Sequence, residues 1–357
     1  MACRLRESGM TSGSPLASVP DPASPTLQRP SASAEAPAFS SGGSLPRRAL
    51  LFFVDGIGVG EDDPDLNPLA TGEFPSFHLT RSARPVASVG PPALAYGLDA
   101  CLGVPGLPQS ATGQTSILTG VNAPEVMGRH VSGFPGPTLR ALLERHSILK
   151  QVRESGKSAS FLNAFGPRFF EAPETARRLS ATSLATLASG APFRTWTDLV
   201  EGRAVVHDLT HWSMRAHGFD LPERDPKEAG AIIAREASSL DFALFEYFET
   251  DRAGHDQDRE RAMRCLGDLD KALETVLANT DLTRSVVVVA SDHGNLEDAS
   301  THTHTRNPAF FAAWGNVAGL PRPERLTDLV PFLLGAIGGG PARARAGPDE
   351  ESATSAA

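Results

Sequence analysis

Three short stretches of the chain are apolar at nearly every position, and each leads into an acidic residue. Residues 50–54 lead to Asp55, residues 242–248 ("FALFEYF") to Asp251, and residues 286–290 ("VVVVA") through Ser291 to Asp292. Strands with one face in water alternate apolar and polar residues. Continuous apolar runs instead predict strands buried on both faces, as in a parallel sheet covered by helices. Between the runs the period lengthens. Residues 137–154 place Leu139, Leu142, Leu143, Leu149 and Val152 mostly on one helical face, and Gly156 closes the stretch. Residues 256–277 repeat Met263, Leu266, Leu269, Leu273 and Val276, with acids in the first turn that suit the helix dipole. Thr327-Asp328 precedes a short helix over 329–334. Strands alternating with helices predict an α/β fold, a mostly parallel sheet with helices on both faces.

The pattern fails in three places. Residues 1–48 are rich in Ser, Pro and Ala and read as a disordered leader, with Met10 a second candidate start; 338–357 read as a similar tail. The stretch from about 126 to 234 is rich in Gly and Pro and shows no clean strand–helix alternation, so it is expected to be a cap inserted into a core made of 49–125 and 235–337. No run approaches the roughly 20 apolar residues of a membrane span. A net charge of −9 argues against broad binding to nucleic-acid phosphates. The cysteines (Cys3, Cys101, Cys265) are far apart and include no C-x-x-C, which fits a reducing compartment and a cytoplasmic location.

Glycine-rich chemistry is the first candidate, and it fails. Asp55-Gly56-Ile57-Gly58-Val59-Gly60 has the spacing G-x-G-x-G, and the acids and proline of 61–65 that follow would repel a pyrophosphate. Asp63-x-Asp65-x-Asn67 begins like a calcium loop, but Pro68 and Phe74 occupy positions that need the turn glycine and the bidentate Glu. The acidic run is therefore expected to be solvated surface. A different constellation survives. Asp55, Asp251 with His255 four residues on, and Asp292-His293 follow the three strands, and His302 and His304 lie downstream. Ligand sites of open α/β sheets lie at the carboxyl edge. Carboxylates and imidazoles gathered there without thiolates predict divalent metals, Mn²⁺ or Zn²⁺ rather than Ca²⁺. A two-metal centre suits phosphoryl or sulfuryl transfer. In "GLPQSATGQTSILTG", Ser110 opens an apolar helical segment and is the candidate nucleophile. No G-x-S-x-G surrounds it, and Ser110-Ala-Thr-Gly does not supply the C/S-x-P-x-R of sulfatases.

With Asp55-Gly56, Ser110-x-x-Gly113, Asp251-x-x-x-His255, "SDHGN" and "HTRNP" in this order, the chain resembles the alkaline phosphatase superfamily. Its nearest branch in these motifs holds cofactor-independent phosphoglycerate mutase and phosphopentomutase. The resemblance covers roughly 48–125 and 238–336, and in the middle only "GFPGPTLRALLE" is similar to phosphopentomutase. It implies two metals, one among Asp55, Ser110, Asp292 and His293, the other among Asp251, His255 and His304, and a phosphoserine formed at Ser110. Gly113-Gln114 departs from the Gly-His of the mutases. Arg129 and Arg306, and beside them Arg215 and Arg224, are the candidates to grip substrate. The function implied is phosphomutase-like transfer on a small phosphorylated metabolite. A phosphomonoesterase or phosphodiesterase with the same metals, and a non-catalytic protein that the metals only stabilise, are the alternatives.

Overall fold

The structure, a computed structural model, describes residues 48–171 and 179–338. The expected leader and tail lie outside these residues, except for Arg48 and Gly338. In chain order the strands are β1 (Arg48–Val54), β2 (Leu94–Leu98), β3 (Ala159–Phe161), β4 (Ala164–Phe165), β5 (Arg194–Thr195), β6 (Phe242–Tyr247), β7 (Ser285–Ala290) and β8 (Ala309–Gly315). Six of them form one sheet in the order β2-β8-β7-β1-β6-β3, and β4 pairs with β5 in a separate two-stranded sheet.

The three apolar runs are adjacent: β1 lies between β6 and β7 and is parallel to both. Its side chains divide between two cores, Ala49, Leu51 and Phe53 on one face and Leu50, Phe52 and Val54 on the other. Burial of each large side chain contributes roughly 1.5–3 kcal/mol, and both faces collect it. β8 is antiparallel to β7 and β2. It therefore starts at the edge where the parallel strands end, and the segment before it is delivered to that edge.

The helices form the outer layers: α1 (Ser110–Thr119), α2 (Ala123–Met127), α3 (Pro137–His146), α4 (Ile148–Glu154), α5 (Pro167–Glu171), α6 (Ala181–Ser189), α7 (Trp196–Val200), α8 (Trp212–Ala216), α9 (Pro226–Ser238), α10 (Glu249–Asp256), α11 (Arg259–Ala278) and α12 (Leu329–Ala336). The helix expected over 137–154 is two helices. Ser147 ends α3 in an extended conformation, and its hydroxyl accepts the Lys150 N–H to cap α4. The long helix starts later than expected because Asp258 caps it, accepting the Arg261 N–H at 3.0 Å. Part of the segment 126–234 is core. β3 is the edge strand beside β6, and Leu143, Leu149, Val152, Phe161 and Leu184 belong to the main hydrophobic cluster. What stands apart is the β4–β5 sheet with a small cluster of its own around Leu199, Val206 and Leu221. The acidic run 61–65 is exposed, as expected. Among the described residues no helix is long and apolar enough to cross a membrane.

Candidate metal centre

The carboxyl edge of β1, β6 and β7 carries the site. Asp55 follows β1, and its N–H extends the ladder to the Tyr247 carbonyl at 2.8 Å. The chain turns at once through Gly56 (φ 73°), where an added Cβ would stand 2.7 Å from that of Asp251. Asp292 and His293 follow β7 and are fully buried. Asp251 is not at a strand end: it lies in the first turn of α10, with His255 one turn further along the same helix. His304 arrives ahead of the antiparallel β8. Ser110 opens α1, where helical N–H groups lack intrahelical partners, and its Oγ lies 3.0 Å from His293 Nε2. Gly113 lets α1 come this close, since a Cβ there would lie 2.9 Å from the Asp292 carbonyl oxygen.

Donor atoms of Asp251, His255 and His304 lie within 4.8 Å of one another, and so do those of Asp55, Asp251 and His293. Asp251 thus faces both groups, whereas the resemblance assigns it to one. Its Oδ2 is 3.3 Å from His255 Nε2 and its Oδ1 3.5 Å from His304 Nε2. His302, the rival to His304, is exposed and supplies only its carbonyl, 2.8 Å from His255 Nδ1.

The residues fit cations. His255 Nδ1 and His304 Nδ1 each face a backbone carbonyl at 2.8 Å, of His302 and Pro108. A carbonyl only accepts, so both Nδ1 atoms carry the proton, the second-sphere arrangement common in metal-binding histidines. In the neutral rings two Nε2 lone pairs then point at each other across 3.1 Å. Only a proton or a metal ion makes that contact favourable. On the other side, His293 Nε2 meets Ser110 Oγ, Asp55 Oδ1 at 3.3 Å and Asp292 Oδ2 at 3.5 Å. One nitrogen cannot satisfy three oxygens, and Asp55 Oδ1 and Asp292 Oδ2 are buried without hydrogen-bond partners among the described residues.

Titration follows the same crowding. Burial, then the carboxylates of Asp292 and Asp251, push Asp55 well above the ordinary range. Burial also raises Asp251, but hydrogen bonds from His255 and His304 and the His293 charge outweigh it and hold the carboxyl well below that range. The hydrogen bond to Asp251 lifts His255 to about 9, and burial keeps His293 low.

Several supporting residues escaped the sequence reading. Glu297, nearly fully buried, accepts the N–H of Gly58 and of Asn295 on Oε2, both at 2.8 Å, and Thr305 Oγ1 and Asn307 Nδ2 on Oε1. It ties the loop after β1, the "SDHGN" turn and the "HTRNP" segment to one carboxylate. Asn295 Nδ2 donates to Asp251 Oδ1 at 2.7 Å, and Gln114 Nε2 to Asp55 Oδ2 at 3.0 Å. The departure from Gly-His at 113–114 thus orients a carboxylate. Glu249, wholly buried, meets Arg261, Arg252 at 2.8 Å and His207 at 3.2 Å. Burial raises its carboxyl, yet His207 and Arg261 bring it to about 2. Only the placement of Glu297 two residues past Asn295, in a turn otherwise full of ligands, hinted at its role.

A cavity of about 560 Å³ adjoins the centre, lined by Asp55, Ser110, Gln114 and Asp251 on the core and by Phe134, Phe165, Val206, His207 and Met214 from the segment expected to cap it. Of the arginines, Arg252 lines it. Arg129 and Arg306 are exposed and do not. Arg215 pairs with Glu223 at 3.2 Å, and Arg224 reaches the carbonyls of Leu199 and Ala204.

Known proteins match this chain in part. The Metalloenzyme superfamily model matches residues 218–334. The 2,3-bisphosphoglycerate-independent phosphoglycerate mutase of Roseobacter denitrificans is 33% identical over 130 residues, 34% of this chain and 26% of that protein. The same-named enzyme of a Ruegeria species is 32% identical over 130 residues, again 34% and 26%. The match thus spans about a quarter of these relatives' length. Among solved structures, alkaline phosphatase from the Antarctic bacterium TAB5 superposes with a TM-score of 0.52 at 12% identity, covering 83% of this chain and 99% of that one. A Pyrococcus horikoshii protein gives 0.51 at 14%, covering 83% and 98%. Over residues 218–334 the chain is thus similar to the Metalloenzyme superfamily, over 34% of its length it is similar to phosphoglycerate mutases, and its fold is similar to that of alkaline phosphatase.

Proposed function

We propose that the protein is a metal-dependent phosphoryl-transfer enzyme acting through a phosphoserine at Ser110, with phosphomutase-like chemistry on a small phosphorylated metabolite. The observation that carries this reading is the convergence of Ser110 Oγ, Asp55 Oδ1 and Asp292 Oδ2 on His293 Nε2, beside the Asp251–His255–His304 group. Asp55, Asp292, His293 and Ser110 would hold one divalent ion and Asp251, His255 and His304 the other, with Asp251 near enough to serve both. Oxygen and imidazole donors without thiolate favour Mn²⁺ or Zn²⁺. Bound there, two divalent ions supply Lewis acidity and neutralise charge on the transferring group.

The chain's own residues do the rest. Ser110 Oγ, freed of its proton, forms the bond to phosphorus as the ester oxygen leaves, and that oxygen takes up a proton to become the free alcohol. Helix α1 aims its first-turn N–H groups at the anion. Gln114 and Asn295 fix Asp55 and Asp251, so little reorganisation accompanies the step. In the second step the phosphoryl group passes to a hydroxyl of the retained product, or to water. The volume of the cavity supports retention, because it is large enough to keep the dephosphorylated product beside Ser110.

The two outcomes separate in one assay. Mn²⁺-loaded protein is offered a panel of phosphosugars and phosphorylated acids, and isomerised ester is measured against inorganic phosphate. Isomer in excess is expected. Phosphate alone would make the enzyme a phosphohydrolase, and neither product from any ester would contradict phosphoryl transfer altogether.

A further inference from the structure

Beyond its reaction, the cavity has a character of its own. Phe165, half-buried, is the inward edge of a cluster with Phe169 at 4.2 Å and Phe193 at 5.0 Å between ring centroids. Phe248, also half-buried, lines the same cavity, with the His207 ring stacked on it at 4.1 Å and an interplanar angle of 12°. Arg252 holds its guanidinium 4.7 Å from the Phe248 centroid. Val206 and Met214 complete an apolar wall. Half-exposed apolar side chains that line a cavity are costly to keep wet, and they mark a surface that a ligand covers. The phosphoryl group belongs at Ser110, so the wall must receive what the phosphoryl group is attached to.

We infer that the substrate is a phosphate monoester whose alcohol carries an aromatic or comparably flat apolar body, received against the wall that Phe165 and Phe248 help to line. This inference rests on the phosphoryl-transfer reading of the same site. A three-carbon phosphorylated acid would leave that wall in water and would gain nothing from it. A ring-bearing alcohol would displace the water and lie against the apolar wall.

The test compares 2-phenylethyl phosphate with ethyl phosphate, two esters whose alkoxide leaving groups are of like basicity, so that reactivity alone does not favour the larger. Binding is read by calorimetry on the Mn²⁺-loaded Ser110→Ala protein, where no chemistry intervenes. Phosphoserine formation is read on the Mn²⁺-loaded wild type. The phenylethyl ester is expected to bind roughly tenfold tighter or better, and Phe165→Ala is expected to abolish the preference while ethyl phosphate binds as before. Equal affinity of the two esters for Ser110→Ala would overturn the inference and leave the phosphoserine reading standing. A preference in binding with no phosphoserine from either ester would do the reverse. Loss of ethyl phosphate binding in Phe165→Ala would mean a damaged fold, and Phe248→Leu, which keeps an apolar side chain but removes the ring, then decides: an unchanged preference there contradicts the aromatic assignment.

Discussion

Glu297 shows how much of the site rests on a residue that touches no substrate. A buried carboxylate is tolerated only when hydrogen bonds replace its lost hydration, and here four donors from three segments do so. Glu297→Ala strips all four at once. The expected loss is about 3 kcal/mol or more in denaturant unfolding, with metal affinity weakened roughly 10- to 100-fold in a Mn²⁺ titration; unchanged metal affinity would limit Glu297 to a packing role. Glu246 is the contrasting case. It lies at the cavity, bonded to Thr182 at 2.7 Å, and burial lifts its carboxyl from 4.5 to about 7. Between these values the folded state holds a proton that the unfolded state has lost. Its contribution is therefore full below pH 4.5, declines as pH rises toward 7 and is flat above. Glu246→Gln removes that slope, so the variant should gain on the wild type across this window, by about 2–3 kcal/mol above pH 7. Unfolding curves measured at several pH values check this, and parallel profiles for the two proteins would contradict it.

At the scale of elements, the strands and the helix opened by Ser110 were legible, but the burial of that helix was not. The runs ending near Asp55, Asp251 and Asp292 announced β1, β6 and β7 because both faces of a central parallel strand must be apolar. Helix α1, expected to open at Ser110, packs differently from an amphipathic surface helix. It is buried on nearly every side, so it has no polar stripe, and it is built of small residues whose hydroxyls bond back to their own helix: Thr115 to Ala111, Ser116 to Thr112 and Thr119 to Thr115. The break at Ser147 was hidden, since the apolar spacing runs on through the cap. Packing between helices makes its own prediction. Gly230 of α9 crosses α11 so closely that a Cβ would lie 2.3 Å from the Ala272 carbonyl oxygen. Gly230→Ala should cost about 1–3 kcal/mol through forced separation of the two helices and leave metal stoichiometry unchanged. A variant as stable as the wild type would mean that the crossing yields easily.

Over the whole molecule, seven proposed ligands spaced from Asp55 to His304 become one centre because the topology collects chain ends. Parallel β1, β6 and β7 deliver their carboxyl termini to one edge, and antiparallel β8 begins there. That convergence was legible as order along the chain. The cavity wall was not, because Phe165, Val206 and Phe248 come from segments with no shared period, and which arginine would line the cavity depended on packing rather than on type. The same topology couples metal to stability. Divalent ions that bind only the folded centre add stability by mass action, about 2.7 kcal/mol at a hundredfold excess over Kd. Chelation should therefore lower the unfolding midpoint of the wild type and have a much smaller effect on Asp251→Asn, as calorimetry with and without Mn²⁺ would read. The decisive measurement concerns Ser110. Mn²⁺-loaded protein is mixed with a phosphate monoester, quenched in acid and digested, and the peptides are weighed by mass spectrometry. One phosphoryl group on the peptide carrying Ser110, absent in Ser110→Ala, is the result predicted; turnover of the ester with that serine never phosphorylated, or undiminished in the variant, would contradict it.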